Sequence, residues 1–289
     1  MTNAILRRAL RRCLGALIFL AGTLLGAATA GAAALVTDLQ GQAALEGGAR
    51  LALLAEVTPG ARLALASGAR LTLLVLETGE QFGLKGPGRF ELRGSAVVAL
   101  EGAQPAKRAL PVDGLQPLRV RPGEVAQATL VLRSLRQNDT PKPSSPRDTR
   151  VIDTRPLFRW SAAEGATGYR FALIDAAGQP VHEAQTAATE AVLPAGLELR
   201  EGAAYSWSVE ALPPGQRPRL AWADFAVVSA AERAALARLR PAADAAFADR
   251  VAYALALDQC EAREAAQVQW RSLAAERPGD PTLKERAGQ

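Results

Sequence analysis

Turn signals built on glycine and proline recur at short intervals between residues 47 and 95, and they leave room only for short elements between them. The intervening runs, such as residues 62–65 and 70–76, are rich in Leu and Val. Short apolar runs bounded by such turns are typical of β-strands, and a spacing of about 8–12 residues predicts an all-β sandwich, barrel or coil. The turns are Gly47-Gly48, Pro59-Gly60, Ser67-Gly68, Thr78-Gly79, Gly86-Pro87-Gly88 and Gly94-Ser95.

Residues 41–92 carry a series of short motifs in a fixed order. An opening run at residues 41–45 is followed by residues 57–63, a Ser67-Gly68 turn and a hairpin at residues 77–84. This order resembles the periplasmic FecR-like domain, in which a G-x-V strand, an S/T-G turn and a D-G-x-x-x-x-L hairpin follow one another. Here Glu77-Thr78-Gly79 stands where that family has Asp-Gly. The resemblance implies an all-β periplasmic domain over residues 35–136.

Residues 151–228 are rich in aromatic side chains that alternate with small or polar neighbours. Such alternation is typical of strands that bury one face. Leu199, Gly202 and Tyr205 have the spacing of a tyrosine corner, in which the hydroxyl bonds to the backbone upstream. The segment resembles a fibronectin type III-like domain, which implies a Greek-key β-sandwich over residues 151–228. The aromatic positions are Phe158, Trp160, Tyr169, Phe171, Tyr205, Trp207, Trp222 and Phe225.

Two interpretations of these aromatic residues lead to different functions. Alternating aromatic side chains usually form a core, so we expect Trp207 to be buried beside Tyr205 and to face Trp160 from the opposite sheet. The alternative is a sugar-binding platform on the surface. Trp222 is the best candidate for such a platform, because its three-residue separation from Phe225 breaks the strict alternation.

Residues 137–150 separate the two β regions. From residue 137 to residue 148 the chain is polar and rich in proline, and it offers no large apolar side chain for burial. This composition predicts an extended linker that is the first site of limited proteolysis.

The period of the hydrophobic pattern changes after residue 228. Ser229 and Glu232 form a capping box that opens a first helix. Helical patterns at residues 244–259 and 261–276 resemble one tetratricopeptide-like hairpin within residues 229–289. Since one such unit is too few to stack stably alone, we expect it to pack against the sandwich or to pair with another chain. The predicted fold is therefore mainly β, with a short α-helical C-terminal segment.

Residues 1–34 predict export. Four arginines precede an unbroken apolar run at residues 14–25, and small residues follow it. This is the order of a secretory signal peptide, with acceptable cleavage sites after Ala30 and Ala34. The alternative is an uncleaved inner-membrane anchor, since residues 14–34 are long enough to span a bilayer. Membrane contact is expected only in that case, and the expected location is the periplasm.

The composition gives no indication of catalysis, a metal or a cofactor. Subtracting the four arginines of residues 1–12 from the formal net charge of +5 leaves +1, which gives no reason to expect nucleic-acid binding. His182 is the single histidine, and no nucleophile elbow, phosphate loop or metal-binding motif is present. Cys13 lies in the export segment, so Cys260 is expected to be a buried, inert thiol rather than an intermolecular bridge. We expect a protein that is not an enzyme.

Three functional hypotheses remain open. The leading one is a non-enzymatic envelope protein that acts as a binding or scaffold module, with an envelope protein or peptidoglycan as its partner. The resemblance to FecR implies a second, a transmembrane signalling regulator, although only about twelve residues precede the apolar run and cytoplasmic anti-sigma helices need more. The third is a glycan- or peptidoglycan-binding protein, which rests on the aromatic residues of the sandwich.

Overall fold

The computed structural model describes residues 34–112, 139–213 and 219–289 of the 289-residue chain. Within these ranges the protein is mainly β, with several antiparallel sheets followed by short C-terminal helices. This architecture confirms the predicted fold class. The predicted export segment lies outside the described residues except for Ala34, and so do Cys13 and residues 113–138.

The first β unit, residues 34–109, consists of two antiparallel sheets. The first sheet has the strand order β3-β1-β5-β6-β9 and the second has the order β2-β4-β7-β8. Gly-containing turns join most of these strands, in agreement with the turn signals of the sequence. The strands are β1 Ala34–Gln40, β2 Ala43–Leu45, β3 Glu56–Val57, β4 Arg62–Leu65, β5 Arg70–Val75, β6 Glu80–Lys85, β7 Gly88–Arg93, β8 Ala96–Glu101 and β9 Ala106–Ala109.

The first sheet of this unit is buried on both faces at strands β1 and β5. On β5, Leu73, Leu74 and Val75 are consecutive and fully or almost fully buried, and Leu35 of β1 pairs with Leu74. Because successive side chains of a strand point to opposite faces, Leu73 and Val75 face the core of the unit while Leu74 faces away from it. Leu35 and Leu74 belong to the apolar cluster formed with the C-terminal helices.

The second β unit is a sandwich of a three-stranded and a five-stranded sheet. The strand orders are β10-β12-β15 and β11-β17-β16-β13-β14. All pairs are antiparallel except β11 and β17, which run parallel. The strands are β10 Pro143–Ser145, β11 Thr149–Val151, β12 Phe158–Trp160, β13 Gly168–Asp175, β14 Pro180–Thr186, β15 Glu190–Ala191, β16 Ala204–Leu212 and β17 Leu220–Val227.

The segment expected to be a free linker differs from that expectation. Residues 143–145 and 149–151 are strands β10 and β11 of the sandwich, and Pro141, Pro143 and Pro146 are buried. The carbonyl oxygen of Pro146 accepts a hydrogen bond of 2.8 Å from the indole N–H of Trp207. Proline lacks an N–H but still offers an apolar ring and a carbonyl acceptor, so a polar, proline-rich segment closes the sandwich here. The residues from 139 to 150 are therefore part of the second β unit.

Four helices follow the sandwich. The first is capped by the predicted box, in which the Ser229 side chain accepts from the Glu232 N–H and the Glu232 carboxylate accepts from the Ser229 N–H. The second is buried along most of its length, with nine buried residues among thirteen. The helices are α1 Ala230–Leu239, α2 Phe247–Gln259, α3 Arg263–Glu276 and α4 Pro281–Arg286.

The helices contact both β units. Toward the first unit, Arg277 forms an ion pair of 2.7 Å with Asp38, and Arg108 pairs with Asp249. The helical segment packs on the sandwich, as expected. It also packs on the first unit, which was not expected. Toward the sandwich, ion pairs and hydrogen bonds join Arg150 to Glu232, Ser145 to Glu264 and Thr149 to the carbonyl of Glu261.

Candidate functional site

Trp222 lies on the outer face of the five-stranded sheet of the sandwich. Alternation along β17 directs Ala223, Phe225 and Val227 into the core, so Trp222 points outward, and 53% of its surface is exposed. Among the described residues it has no ring, cation or hydrogen-bond partner. A large apolar side chain left without a partner is the kind of group that ligands cover.

The other seven aromatic residues of the sandwich form its core. Each is at most 5% exposed, and Trp207 is fully buried. The ring centroids of Trp160 and Trp207, which belong to opposite sheets, are 6.1 Å apart. The Tyr205 hydroxyl accepts a hydrogen bond of 2.9 Å from the Arg200 N–H, five residues upstream. The predicted burial of Trp207 and the predicted tyrosine-corner bond are confirmed, and Trp222 alone remains for surface recognition.

A groove opens beside Trp222, with a volume of about 430 Å³. One wall is formed by residues 139–143 and Arg147, and the other by Ala221 and Trp222 of β17. We call it the Trp222 groove. Its lining residues are Asp139, Thr140, Pro141, Lys142, Pro143, Arg147, Ala221 and Trp222. The volume falls within the range of about 300–1,000 Å³ that is typical of small-molecule sites.

The charged side chains of the Trp222 groove carry both signs. Lys142 is exposed and has no ion-pair partner among the described residues. Arg147 is paired with Asp148 at 3.2 Å, but both side chains are about 60% exposed, so the pair is weak. Asp139 contributes one carboxylate, which accepts from the Thr140 hydroxyl at 3.3 Å. The groove therefore offers an aromatic face with donors and an acceptor close to it.

Glu264 of α3 holds the groove wall in place. Its carboxylate accepts from the Ser145 hydroxyl at 2.6 Å and from the Arg147 N–H at 3.0 Å. The neighbouring N–H of Asp148 donates to the carbonyl of Asp224 on β17 at 2.8 Å. These bonds fix the wall between the sandwich and the helical segment, so the groove is built by tertiary contacts rather than by a loop alone.

The other residues of chemical interest lie elsewhere. His182 is half-buried on the edge strand β14, with its ring 6.3 Å from that of Phe171. Cys260 is buried, as expected, and burial raises the pKa of its thiol to about 11, so the thiolate is scarce at neutral pH. Within residues 34–112, 139–213 and 219–289 no group of three or more His, Cys, Asp or Glu side chains could hold a metal ion. The prediction of a non-enzymatic protein stays a prediction.

The sequence pattern indicates Trp222 as a candidate surface residue, but it does not indicate the opposite wall of the groove. The spacing of Trp222 and Phe225 breaks the strict alternation, and in the structure Trp222 is exposed while Phe225 is buried. The composition of residues 137–150 predicts an extended linker, whereas the structure makes residues 139–143 and Arg147 a wall of the groove. The available signal was Pro141 and Pro143, whose rings can be buried without an unpaired N–H.

Comparisons with known proteins leave the family of this chain open. In the part of the chain that the structure describes, no helix combines the length and the apolar character that crossing a membrane requires. No model of a known protein family matches the chain, and no curated protein sequence matches it.

Proposed function

We propose that this protein is a non-enzymatic binding and scaffold protein of the cell envelope, which works in the periplasm after export. The observation that carries the proposal is the position of Trp222. Seven of eight aromatic residues of the sandwich are buried, and the eighth is more than half exposed in a groove with charged side chains. A recognition surface needs such an anchor.

The contacts of the helical segment support the scaffold part of the proposal. Arg277 and Asp249 attach the helices to the first β unit, and Glu232 and Glu264 attach them to the sandwich. The groove is thus presented at a defined position relative to the first β unit. The resemblances to FecR-like, fibronectin type III-like and tetratricopeptide-like domains remain proposals for these three parts.

The start of the first strand, β1, favours one of the two predicted cleavage sites. Ala34 is fully buried in β1 and pairs with Val75 of β5. Cleavage after Ala34 would remove this residue from the sheet, whereas cleavage after Ala30 would leave β1 whole. We therefore propose cleavage after Ala30, which makes Gly31 the first residue of the exported protein.

The test is fractionation and capture with the full-length chain carrying a C-terminal tag. We expect the protein in the periplasmic fraction, with Gly31 at its N-terminus by mass spectrometry. Capture from envelope extracts, with and without lysozyme-solubilised wall, should retain a partner that Trp222→Ala loses. Val192→Ala is the matched control, because Val192 is 67% exposed on the same sandwich but does not line the groove. Equal capture by wild type and Trp222→Ala would contradict the proposal.

A further inference from the structure

We infer that the Trp222 groove binds a carboxylate-bearing saccharide, an inference that rests on the proposed envelope function and names its ligand class. The anchor is the indole of Trp222, which is 53% exposed and unpartnered among the described residues. One face of a pyranose ring carries mostly C–H groups, so it packs on an indole and displaces water from both surfaces. The hydroxyl groups at the rim of the sugar then need polar partners close to the ring.

The groove supplies both kinds of polar partner. Asp139 provides an acceptor, while Lys142 and Arg147 provide donors. Sugar hydroxyls both donate and accept, so they use a mixed set of this kind. A quaternary ammonium group would use the indole, but it would be repelled by Lys142 and Arg147.

The position of the groove also argues against a peptide. Extended peptides are commonly bound by addition to an open strand edge. β17 pairs with β16 on one side, and on the other side it pairs with β11 at residues 225–227 and accepts a hydrogen bond at Asp224 from the Asp148 N–H. Pro141 and Pro143 of the groove wall have no N–H to offer a peptide backbone. The wall is therefore poor in backbone donors, which favours recognition by side chains, as with sugars.

Lys142 favours a carboxylate-bearing sugar over a neutral one. Two cations and one carboxylate line the groove, but Arg147 is paired with Asp148, so Lys142 is the cation that a ligand can use. Lys142 has no protein carboxylate to pair with among the described residues, so a ligand carboxylate would gain a charge-assisted hydrogen bond there. Muramyl sugars of the wall and uronic acids of surface polysaccharides share this chemistry.

Binding of defined saccharides to the full-length protein tests the inference. The probes are the disaccharide GlcNAc–MurNAc, the neutral disaccharide chitobiose and digalacturonate, each titrated by calorimetry at low and high salt. We expect GlcNAc–MurNAc or digalacturonate to bind about tenfold more tightly than chitobiose, since a charge-assisted hydrogen bond has about that effect. Salt should weaken this preference. The stronger of the two acidic probes identifies the source of the ligand.

Two variants and one control assign the binding to the groove. Trp222→Ala should lower the binding affinity for every saccharide about tenfold or more, because it removes the indole face on which the sugar stacks. Lys142→Ala should weaken the acidic saccharides and leave chitobiose unchanged, while Val192→Ala should change nothing. Wild-type affinity in Trp222→Ala, equal affinity for acidic and neutral probes, or equally tight binding of tetraglutamate would overturn the inference.

The outcome also separates this inference from the proposed function. If capture from envelope extracts depends on Trp222 but none of the three saccharides binds, the envelope function stands and the ligand class is wrong. If neither measurement depends on Trp222, both are wrong. If the acidic saccharides bind through Trp222 and Lys142, both are supported.

Discussion

Replacement of Glu232 by Gln should weaken the attachment of the helical segment to the sandwich. Arg150 of β11 holds the Glu232 carboxylate with two hydrogen bonds, of 2.8 and 2.6 Å, and each side chain is only 24% exposed. The same carboxylate accepts from the Ser229 N–H at 2.8 Å and from the Ser229 hydroxyl at 2.7 Å. Glu232→Gln keeps the size of the side chain and part of the cap, but it removes the charge that Arg150 requires.

The magnitude follows from the pKa of Glu232. The hydrogen bond from Arg150 lowers this pKa from 4.5 to about 2, with Ser229 adding to the effect and partial burial opposing it. A shift of that size corresponds to at most about 3 kcal/mol of folding free energy, and solvent screening reduces our expectation to about 2 kcal/mol. Because the pKa is lower in the folded chain, this stabilisation is complete above about pH 5 and is lost as the pH falls toward 2.

The assay is urea unfolding of wild type and Glu232→Gln between pH 7 and pH 2.5, followed by circular dichroism at 222 nm. We expect a difference in unfolding free energy of about 2 kcal/mol at pH 7, which falls to about a quarter of that at pH 2.5. Glu190→Gln is the control, since the Arg159–Glu190 pair is more than half exposed at 3.5 Å and should contribute less than about 1 kcal/mol. A difference that stays constant across this pH range would refute the reasoning.

Three further predictions concern packing. Trp207→Ala should destabilise the protein by about 3–5 kcal/mol in thermal or urea unfolding, because Trp207 is fully buried. Trp222→Ala should cost less than about 0.5 kcal/mol, because Trp222 lies on the surface. Equal effects would contradict the assignment of Trp207 to the core and Trp222 to the surface. In a Cys13→Ser variant, whose single thiol is Cys260, this thiol should be silent to Ellman's reagent at pH 8 and should react once urea unfolds the chain. Prompt labelling of the native variant would contradict the burial of Cys260. Gly86→Ala should cost at least about 2 kcal/mol in urea unfolding, because the added Cβ would lie 2.0 Å from the Ala66 carbonyl oxygen, and wild-type stability would show that this turn can shift.

The elements that could be predicted from the sequence are those with a strong local signal. Gly-bounded apolar runs gave the strands of the first unit, and alternating aromatics gave β13 and β16. The capping box of Ser229 and Glu232 located the start of α1. In each case the residues that determine the element are neighbours in the chain, so local propensity and periodicity carry the information.

The features that could not be predicted depend on contacts between distant residues. Ser145 and Glu264 are 119 positions apart, and Trp207 and Pro146 are 61 positions apart. Nothing local in a polar, proline-rich stretch indicates that its carbonyls and prolines will be buried against another element. The Trp222 groove was missed for the same reason, because one of its walls exists only after residues 139–147 have packed on β17.

One overlooked signal explains why the two β units and the helices belong together. The unbroken run Leu73-Leu74-Val75 is typical of a strand that is covered on both faces, as are the consecutive buried residues at the start of β1. The cover on the outer face is α2, which is itself too apolar around its circumference to be stable in water alone. The outer apolar face of the first sheet and the apolar surface of α2 therefore bury each other. Since α3 packs on α2 and holds the groove wall through Glu264, one helical segment contacts both the first β unit and the Trp222 groove.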